Sequence, residues 1–527
     1  MHTILPFLLA MVVAIVLVEM WATKLKIAYP VLLVVAGLAV SFIPGLPKLE
    51  LDPNLIFFIF LPPLLYEACW SVSFKEMRKW WRMIGSFAFL VVFLTALLVA
   101  VIANHIIPGF PIALGCLLGG IVAPPDAVST AAITRFVKVP KFTSAILEGE
   151  SLLNDASALI IFKFALIAVG SGQFIWQEAS LNFIWIVIGG AAVGLALAWL
   201  FVQAHKRLKI DAASNIALTI VEPYFMYWLA ETLHCSGVLA VVAGGLYMSA
   251  KRLIFLDSSS RIQAYNVWEC FVFVLNGIVF LVIGLDLPQI VDGLREQNIP
   301  LQTAIGYGVL ITVGIVVIRL FCAYIAVLAT IIFRPNVINR NRTRRQMLFG
   351  PFVMGWAGMR GVVSLAAALS IPVALEDGSP FPHRDLILFI TFIVILITLL
   401  LQGLTLPWII RSTGAFRDIV EREAAADYQK KVQHSLKQHS YEFLQSRLKT
   451  VEEGNESITA WLKYWDEKSK VSGDEIARQR SKAIFIELLE SQRQHLVELN
   501  KDADLDEEII RAQLYQIDLR EEQMKAM

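Results

Sequence analysis

Residues 120–127 read GIVAPPDA and lie in the middle of an apolar segment at 111–133. Two successive prolines remove two backbone hydrogen-bond donors, and their rings clash with the preceding helical turn. We therefore expect the helix to unwind at Pro124 and Pro125. Unwound backbone at membrane depth is tolerated only where protein or a water-lined cavity covers it. The freed carbonyls would form an oxygen-rich pocket beside Asp126; the simpler alternative is a proline kink in which Asp126 caps the second half-helix.

The segment around these prolines is one of many apolar segments. Of the 527 residues, 57% are hydrophobic, only 17% are charged, and the mean hydropathy is +0.65. Soluble domains carry about 25% charged residues, so this composition excludes an ordinary soluble enzyme. A helix needs about 20 apolar residues to cross the hydrocarbon core of a bilayer. We predict an all-α membrane protein with about 13 transmembrane helices, at roughly 3–22, 27–44, 51–70, 82–107, 111–133, 143–170, 180–203, 212–233, 236–250, 266–287, 301–333, 347–373 and 385–410.

The charges in the loops predict an orientation. Loops after odd-numbered segments contain 20 Lys and Arg residues, whereas loops after even-numbered segments contain 3. The positive-inside rule then puts the odd loops and the C-terminus in the cytoplasm and the N-terminus outside. Compact loops favour the inner (plasma) membrane of a bacterium. Because the composition turns polar after residue 411, with apolar residues at helical spacing, we predict a transmembrane domain at 1–411 and a helical cytoplasmic tail at 412–527.

Several ligand classes are not expected. The basic residues lie at segment ends rather than in a stripe, which argues against a nucleic-acid partner. The five cysteines have neither a disulfide framework nor the spacing of metal ligands. We therefore predict no cofactor, and expect the bilayer and transported ions as the main partners.

A second polar cluster lies in the segment after the prolines. Residues 148–155 read EGESLLND. Helical neighbours are three and four residues apart, so Ser151 is adjacent to Asp155, and Glu150 is adjacent to Asn154. Ionisable groups within a bilayer are costly and usually functional, and carboxylate, hydroxyl and amide oxygens suit hard cations. The pattern predicts a cation site; the alternative is an interhelical hydrogen-bond cluster without an ion.

A third feature mirrors the first. Residues 355–361 read GWAGMRG, in which three glycines weaken the helix around Arg360. Interrupted segments at matching places in two halves point to a transport site built from inverted repeats. Arg360 stays protonated and needs an anionic partner; we expect Glu150, with Asp126 as the second choice. If Glu150 is paired, Asp155 is left as the titrating group.

Other buried charges are weaker candidates for function. Glu19, Glu67 and Glu222 fit contacts at segment ends or between helices. Lys163 lies about two turns beyond Asp155, where it would snorkel to the interface or pair elsewhere.

Five stretches of the chain carry a resemblance to a known family. In chain order they are LPPLLYEA (61–68), GESLLND (149–155), WLAETLHCSGVLA (228–240), NGIVFLVIG (276–284) and WAGMRGV (356–362). Together they resemble the sodium/proton exchangers of the first monovalent cation:proton antiporter family, over about residues 1–410. The resemblance implies inverted repeats with two unwound, crossing helices, a homodimer and elevator-like alternating access. The adjacent Asn154 and Asp155 are similar to the electroneutral branch of that family.

The resemblance also implies roles for individual residues. Asp155 would bind the cation or the proton, with Asn154 supporting it, and Glu150 would pair with Arg360. The residues in or beside the ion site would be Asp155, Asn154, Ser151, Asp126, Glu150 and Pro125, with Asp155, Asp126 and Ser151 as the Na⁺ ligands. Relatives often read Thr-Asp-Pro or Val-Asp-Pro where this chain reads Pro125-Asp126-Ala127, so position 125 offers a carbonyl but no side-chain ligand.

These features predict a secondary antiporter for pH homeostasis rather than an enzyme. It would exchange Na⁺, or alternatively Li⁺ or K⁺, for H⁺. A single titrating carboxylate at Asp155 suggests 1:1, electroneutral exchange, because one carboxylate holds a proton or a cation but not both. The alternatives are a cation channel, a non-transporting membrane sensor with a signalling tail, and an intramembrane protease that uses Asp126 and Asp155 as a dyad.

Overall fold

The computed structural model describes residues 4–25, 29–43, 53–126, 140–171, 176–208, 211–333, 344–375, 378–414, 416, 428–447, 475–502, 505 and 507–526. These residues are helical apart from connections and one isolated bridge between Ala374 and Pro380. The helices are α1 (Ile4–Leu25), α2 (Tyr29–Ser41), α3 (Pro53–Ser71), α4 (Phe74–Gly85), α5 (Val92–Ile106), α6 (Ile112–Val122), α7 (Lys141–Ser171), α8 (Trp176–Arg207), α9 (Ala212–Thr232), α10 (Gly237–Phe255), α11 (Ser258–Glu296), α12 (Leu301–Phe333), α13 (Arg344–Trp356), α14 (Val362–Leu369), α15 (Arg384–Ile397), α16 (Gly403–Thr413), α17 (Tyr428–Arg447), α18 (Glu475–Leu499) and α19 (Glu507–Ala526). Two π-helical turns, Ser86–Val91 and Thr398–Gln402, join α4 to α5 and α15 to α16.

The predicted membrane-spanning character agrees with these helices. Within the described residues, eight helices are long and apolar enough to cross a bilayer, and α2, α3 and α6 are shorter apolar helices. The eight are α1, α4–α5, α7, α8, α10, α11, α12 and α15–α16. Each of the thirteen predicted segments contains at least part of a helix, while the number of crossings stays a prediction. The chain is an all-α, multi-pass membrane protein.

The chain divides into two compact units. The first comprises Met1–Lys209, Ala217–Phe255 and Val267–Val420; the second comprises Ile210–Ile216, Leu256–Asn266 and Glu421–Met527. Within the first unit, α4–α7 pack with α12–α16 in one bundle, and α3, α8 and α10 pack together in another. Close packing of α2 against α11 also needs glycine, because a Cβ on Gly37 would lie 2.2 Å from the Leu281 carbonyl oxygen.

The second unit contains the helices predicted for the tail. In it α17 packs on α18, and α18 packs on α19. The buried Asp518 carboxylate accepts hydrogen bonds from Arg261 at 2.8 Å and from Arg493 at 2.9 Å. Burial opposes ionisation of Glu521, but hydrogen bonds from Lys525 and Arg493 outweigh it and lower the pKa of this carboxyl to about 2. The tail helices therefore pack through buried ion pairs as well as apolar faces.

Candidate functional site

The two predicted helix breaks meet in the first bundle. Helix α6 ends at Val122, and residues 123–126 continue without helical structure. The second break separates α13, which ends at Trp356, from α14, which begins at Val362. The backbone N–H of Asp126 donates to the Met359 carbonyl oxygen at 2.7 Å. The two unwound segments expected from the sequence are therefore present among the described residues and contact each other.

Arg360 supplies the donors that the first break needs. This side chain is 1% exposed, and its Nε donates to the Val122 carbonyl at 2.8 Å. Its Nη2 donates to the Ala123 carbonyl at 3.1 Å, and Nη1 donates to the carbonyl of Gly358. Buried carbonyls left without a donor are costly, so a fixed fork of guanidinium donors stabilises the unwound backbone.

The expected ion pair between Glu150 and Arg360 is wrong. Arg319, in the middle of α12, donates from Nη1 and Nη2 to the two Glu150 carboxylate oxygens at 2.6 and 3.0 Å. Both side chains are almost fully buried, with exposures of 2% and 1%. Arg319 can reach Glu150 because residue 358 is a glycine. A Cβ on Gly358 would lie only 2.1 Å from Arg319 Nε and would block the side chain.

The predicted polar residues of α7 converge on the Pro125 carbonyl. The Ser151 hydroxyl donates to it at 3.3 Å, and the Asn154 amide Nδ2 donates to it at 3.2 Å. The sequence predicted that the Pro125 carbonyl would be available to bind an ion. In the structure, two side chains already donate hydrogen bonds to it. Asn154 is fully buried, and its Oδ1 has no hydrogen-bond donor within the part of the chain that the structure describes. An unsatisfied buried acceptor of this kind suits a cation.

The carboxylates of Asp126 and Asp155 lie close enough to repel each other. Asp155 is 8% exposed, and none of the described residues donates a hydrogen bond to its carboxylate. Asp126 lies over the break before α14: a Cβ on Gly361 would be only 1.8 Å from Asp126 Oδ2. Asp126 thus lies at the N-terminus of α14, where the positive end of the helix dipole interacts favourably with a carboxylate.

Some acceptors of the site have no donor among the described residues. The carbonyls of the break are already bonded to Arg360, Ser151 and Asn154. Among the described residues, the Asp155 carboxylate and the Asn154 Oδ1 remain for a positive species, with Asp126 as a second negative charge beside them. Carboxylate and amide oxygens are ligands for hard cations, and either carboxylate can take up a proton.

The weaker candidates lie elsewhere. Lys163 pairs with Glu231, with Nζ at 2.6 and 2.8 Å from the two carboxylate oxygens. Glu222 accepts a hydrogen bond from Tyr66 Oη at 2.6 Å and lies 2.7 Å from His205 Nε2. These contacts support the structural interpretation of both residues. The departure at Ala127 lies outside the described residues.

Sequence reasoning missed two residues. Arg319 is the one charged residue of an apolar helix of 33 residues. A charge in the middle of a membrane-spanning helix is usually functional, so the sequence contained the signal for this residue. Thr398 lies in the second π-helical turn, where its hydroxyl accepts the Arg360 backbone N–H at 3.2 Å and donates to the Ile395 carbonyl at 3.1 Å. No local pattern indicates this role, because the contact joins residues 38 positions apart.

Known proteins with similar sequences are ion exchangers. Residues 8–412 match the family described as sodium/hydrogen exchanger, transmembrane. The chain is 32% identical over 435 residues to a sodium, potassium, lithium and rubidium/H⁺ antiporter of Bacillus pumilus, covering 81% of this chain and 63% of that protein. It is 30% identical over 410 residues to the Na⁺/H⁺ antiporter ApNhaP of Aphanothece halophytica, covering 76% of this chain and 73% of that protein. The chain thus spans less than two thirds of the Bacillus relative.

A solved structure shares the fold. The sodium proton antiporter MjNhaP1 of Methanocaldococcus jannaschii, at pH 8, aligns with a TM-score of 0.59. The alignment covers 77% of this chain and 97% of that protein, at 18% sequence identity. This likeness supports the overall helical fold described above.

Proposed function

We propose that this chain, which belongs to the sodium/hydrogen exchanger family, exchanges a monovalent cation for protons across a membrane. Members of this family are transporters rather than enzymes. One observation carries the proposal for the site: the buried Asn154 Oδ1 has no donor among the described residues, and it lies on α7 beside Asp155, a buried carboxylate that none of those residues hydrogen-bonds. Such a group is stable only with a positive species among its oxygens. The transported cation and the proton are the only ligands that the proposal needs.

The charges around the site support 1:1 exchange. Glu150 and Arg319 neutralise each other in a buried pair. Arg360 balances one of the two remaining carboxylates, Asp126 and Asp155, which leaves a net charge of −1. One proton or one monovalent cation makes the site neutral. A neutral site crosses a hydrocarbon layer at far lower cost than a charged one, so the empty site is held back and the two fluxes are coupled.

Asp155 is the group that the proposal assigns to both ions. Its carboxylate has no donor among the described residues, whereas Asp126 benefits from the N-terminus of α14. The proposal therefore assigns the shared proton and cation to Asp155 and leaves Asp126 as the neighbouring charge. In the cation-loaded form, Asp155, Asp126 and Ser151 would act as ligands, with Asn154 Oδ1 available beside them. Each loaded form can change conformation and so expose the site to the other side of the membrane. The cation and the proton therefore cross in opposite directions.

The cellular setting is part of the same proposal. The loop charges support an inner (plasma) membrane protein with its N-terminus outside and its tail in the cytoplasm. The division into a transmembrane domain, 1–411, and a cytoplasmic tail, 412–527, follows the change in composition. A homodimer is proposed from the family resemblance. Na⁺ is the first cation to test, followed by Li⁺ and K⁺, because the Bacillus relative is named for all three and for rubidium.

The test is exchange by the purified full chain in proteoliposomes. An inward Na⁺ gradient should drive proton efflux, and Asp155→Asn should abolish it. Asp292→Asn is the matched control, because this carboxyl is 67% exposed and pairs, among the described residues, with its helical neighbour Arg295. Sodium-driven proton flux that persists in Asp155→Asn would remove Asp155 from the mechanism. With the membrane potential clamped at different values, a rate that changes with voltage contradicts 1:1 exchange.

A further inference from the structure

Helix α4 has an exposed basic and aromatic face that the exchange mechanism does not use. Arg78, Lys79 and Arg82 are exposed on this helix. Between them, Trp81 is 58% exposed, and the Arg82 guanidinium lies 5.5 Å from the centre of the Trp81 ring. The opposite face is packed: Ile84 is fully buried in a cluster with Ile146 and Met354. One face of α4 therefore packs against the protein, and the opposite face is basic and exposed.

The length of the helix puts this face at the level of the lipid headgroups. The helix containing α4 and α5 runs from Phe74 to Ile106, which is 33 residues. At 1.5 Å per residue this is about 50 Å, longer than the roughly 30 Å of a hydrocarbon core. On the exposed side, Phe89 and Phe93 follow the basic residues, at 51% and 59% exposure. This side thus changes from basic to apolar within two turns, as a helix does where it leaves the headgroup layer.

The charges on α4 fit an anionic surface. Its one acidic residue, Glu76, accepts a hydrogen bond from Trp80 Nε1 at 3.1 Å, and its own backbone N–H donates to Ser73 at the start of the helix. Trp80 belongs to the packed face. Exposed tryptophan and clustered Lys and Arg at a membrane surface are typical of contact with anionic headgroups.

The packed face of α4 connects it to the ion site. Ile84 packs against α7 beside Gly149, where a Cβ would lie 2.8 Å from Ile84 Cδ1. Gly149 directly precedes Glu150, the partner of Arg319. Little free space separates α4 from the part of α7 that carries the site, so a shift of α4 is transmitted to it.

We propose that the exposed face of α4, formed by Arg78, Lys79, Trp81 and Arg82, binds the headgroups of anionic phospholipids, and that this binding accelerates exchange. The lipid phosphates pair with the three basic side chains, while Trp81 inserts beside the glycerol backbone. Bound lipid fixes α4 against α7 and so holds the site segment in place. The effect on exchange rests on the proposed antiport, whereas the binding of lipid does not.

The test compares two lipid compositions and two variants of the full chain. Exchange is measured in vesicles of phosphatidylcholine alone and in vesicles of equal parts phosphatidylcholine and phosphatidylglycerol. Each basic residue near an anionic surface contributes about fivefold in binding. We expect exchange to be about fivefold faster or more in the anionic vesicles, and the gain to shrink at high ionic strength. In native mass spectrometry, the purified protein should retain phosphatidylglycerol in preference to phosphatidylcholine.

The triple variant R78Q/K79Q/R82Q should keep the rate found in phosphatidylcholine but lose the gain and the retained lipid. The matched control is K206Q/R207Q/K251Q, which removes three other exposed positive charges at the ends of α8 and α10 and should keep both. If the triple variant does not fold, Lys79→Gln alone should reduce the gain.

Two results would overturn the proposal: equal rates in the two kinds of vesicle without preferential lipid retention, or equal loss of the gain in the control variant. Retained phosphatidylglycerol without exchange in any vesicle would instead contradict the antiport function and leave the binding face intact.

Discussion

Two pairs of successive prolines lie within apolar segments of this protein, and only one of them ends its helix. Pro62 and Pro63 are inside α3, which continues to Ser71. Pro124 and Pro125 follow α6, which stops at Val122. All four prolines are buried, so exposure to solvent does not explain the difference.

The difference lies in the partners of the backbone. In α3, Pro63 leaves the Ile59 carbonyl without its helical donor, and the Tyr224 hydroxyl replaces that donor at 3.0 Å. The helix then continues, because nothing draws the next N–H groups away. After Pro125, the Asp126 N–H donates across the bundle to Met359, and Arg360 binds the carbonyls that would otherwise have accepted helical bonds. Two prolines permit a break, and partners on another segment determine whether it forms.

Removal of Arg360 should have the largest effect. Arg360→Ala leaves the Val122, Ala123 and Gly358 carbonyls without this donor. Each unsatisfied buried group costs about 1–3 kcal/mol, so we expect a loss of about 3 kcal/mol or more in stability and no measurable exchange. The measurements are thermal unfolding in detergent and flux in proteoliposomes. Arg360→Lys is the informative comparison: it keeps the charge but not the fork of donors, and normal exchange in it would mean that charge alone supports the break.

Replacement of the prolines at the break should have a smaller effect than loss of Arg360. Pro124→Ala together with Pro125→Ala restores two N–H donors, which compete for the Gly120 and Ile121 carbonyls. Two added helical hydrogen bonds favour an extended α6 by about 1–3 kcal/mol. Exchange should therefore fall by about tenfold while the melting temperature stays the same or rises. A loss of exchange as complete as in Arg360→Ala would show that the prolines, rather than their partners, set the break.

Loss of the partner in α3 should cost little. Tyr224→Phe removes the hydroxyl that donates to Ile59. Because Tyr224 is only half-buried, water can replace part of this bond, and we expect a loss of about 1 kcal/mol in stability with an unchanged rate of exchange. The measurement is thermal unfolding beside a flux assay. A large fall in exchange would mean that α3 also depends on its partner to keep its shape.

The smallest effect is expected for the prolines within α3. Pro62→Ala with Pro63→Ala keeps a helix that is already continuous, so exchange should change by less than twofold, while stability stays the same or rises because alanine is more favourable than proline inside a helix. This variant is also the control for the double replacement at residues 124 and 125, since it makes the same chemical change. A tenfold loss of exchange here would contradict the distinction between the two proline pairs.

Much of the site could be predicted from local sequence. The cluster on α7 follows from helical spacing, which puts Ser151 and Asn154 one turn apart, whereas their shared hydrogen bonds to the Pro125 carbonyl are seen only in the structure. The partner of Glu150 could not be found in this way. Arg360 and Arg319 were both available, and the choice between them depends on the packing of α12 against Gly358, 39 residues along the chain. Pairing between distant segments is decided by shape, which a local pattern does not contain.

The sequence alone determined that this chain lies in a membrane, that two of its segments are weakened in the middle, and that acidic and amide oxygens lie close to the first of them. These properties are local: apolar length, missing N–H donors and helical spacing each act within a few residues. Only the tertiary structure decided which proline pair opens its helix, which arginine binds Glu150, and which acceptors remain for an ion. A buried polar group takes whichever partner the packed bundle brings within hydrogen-bonding distance, because a buried group without a partner is costly.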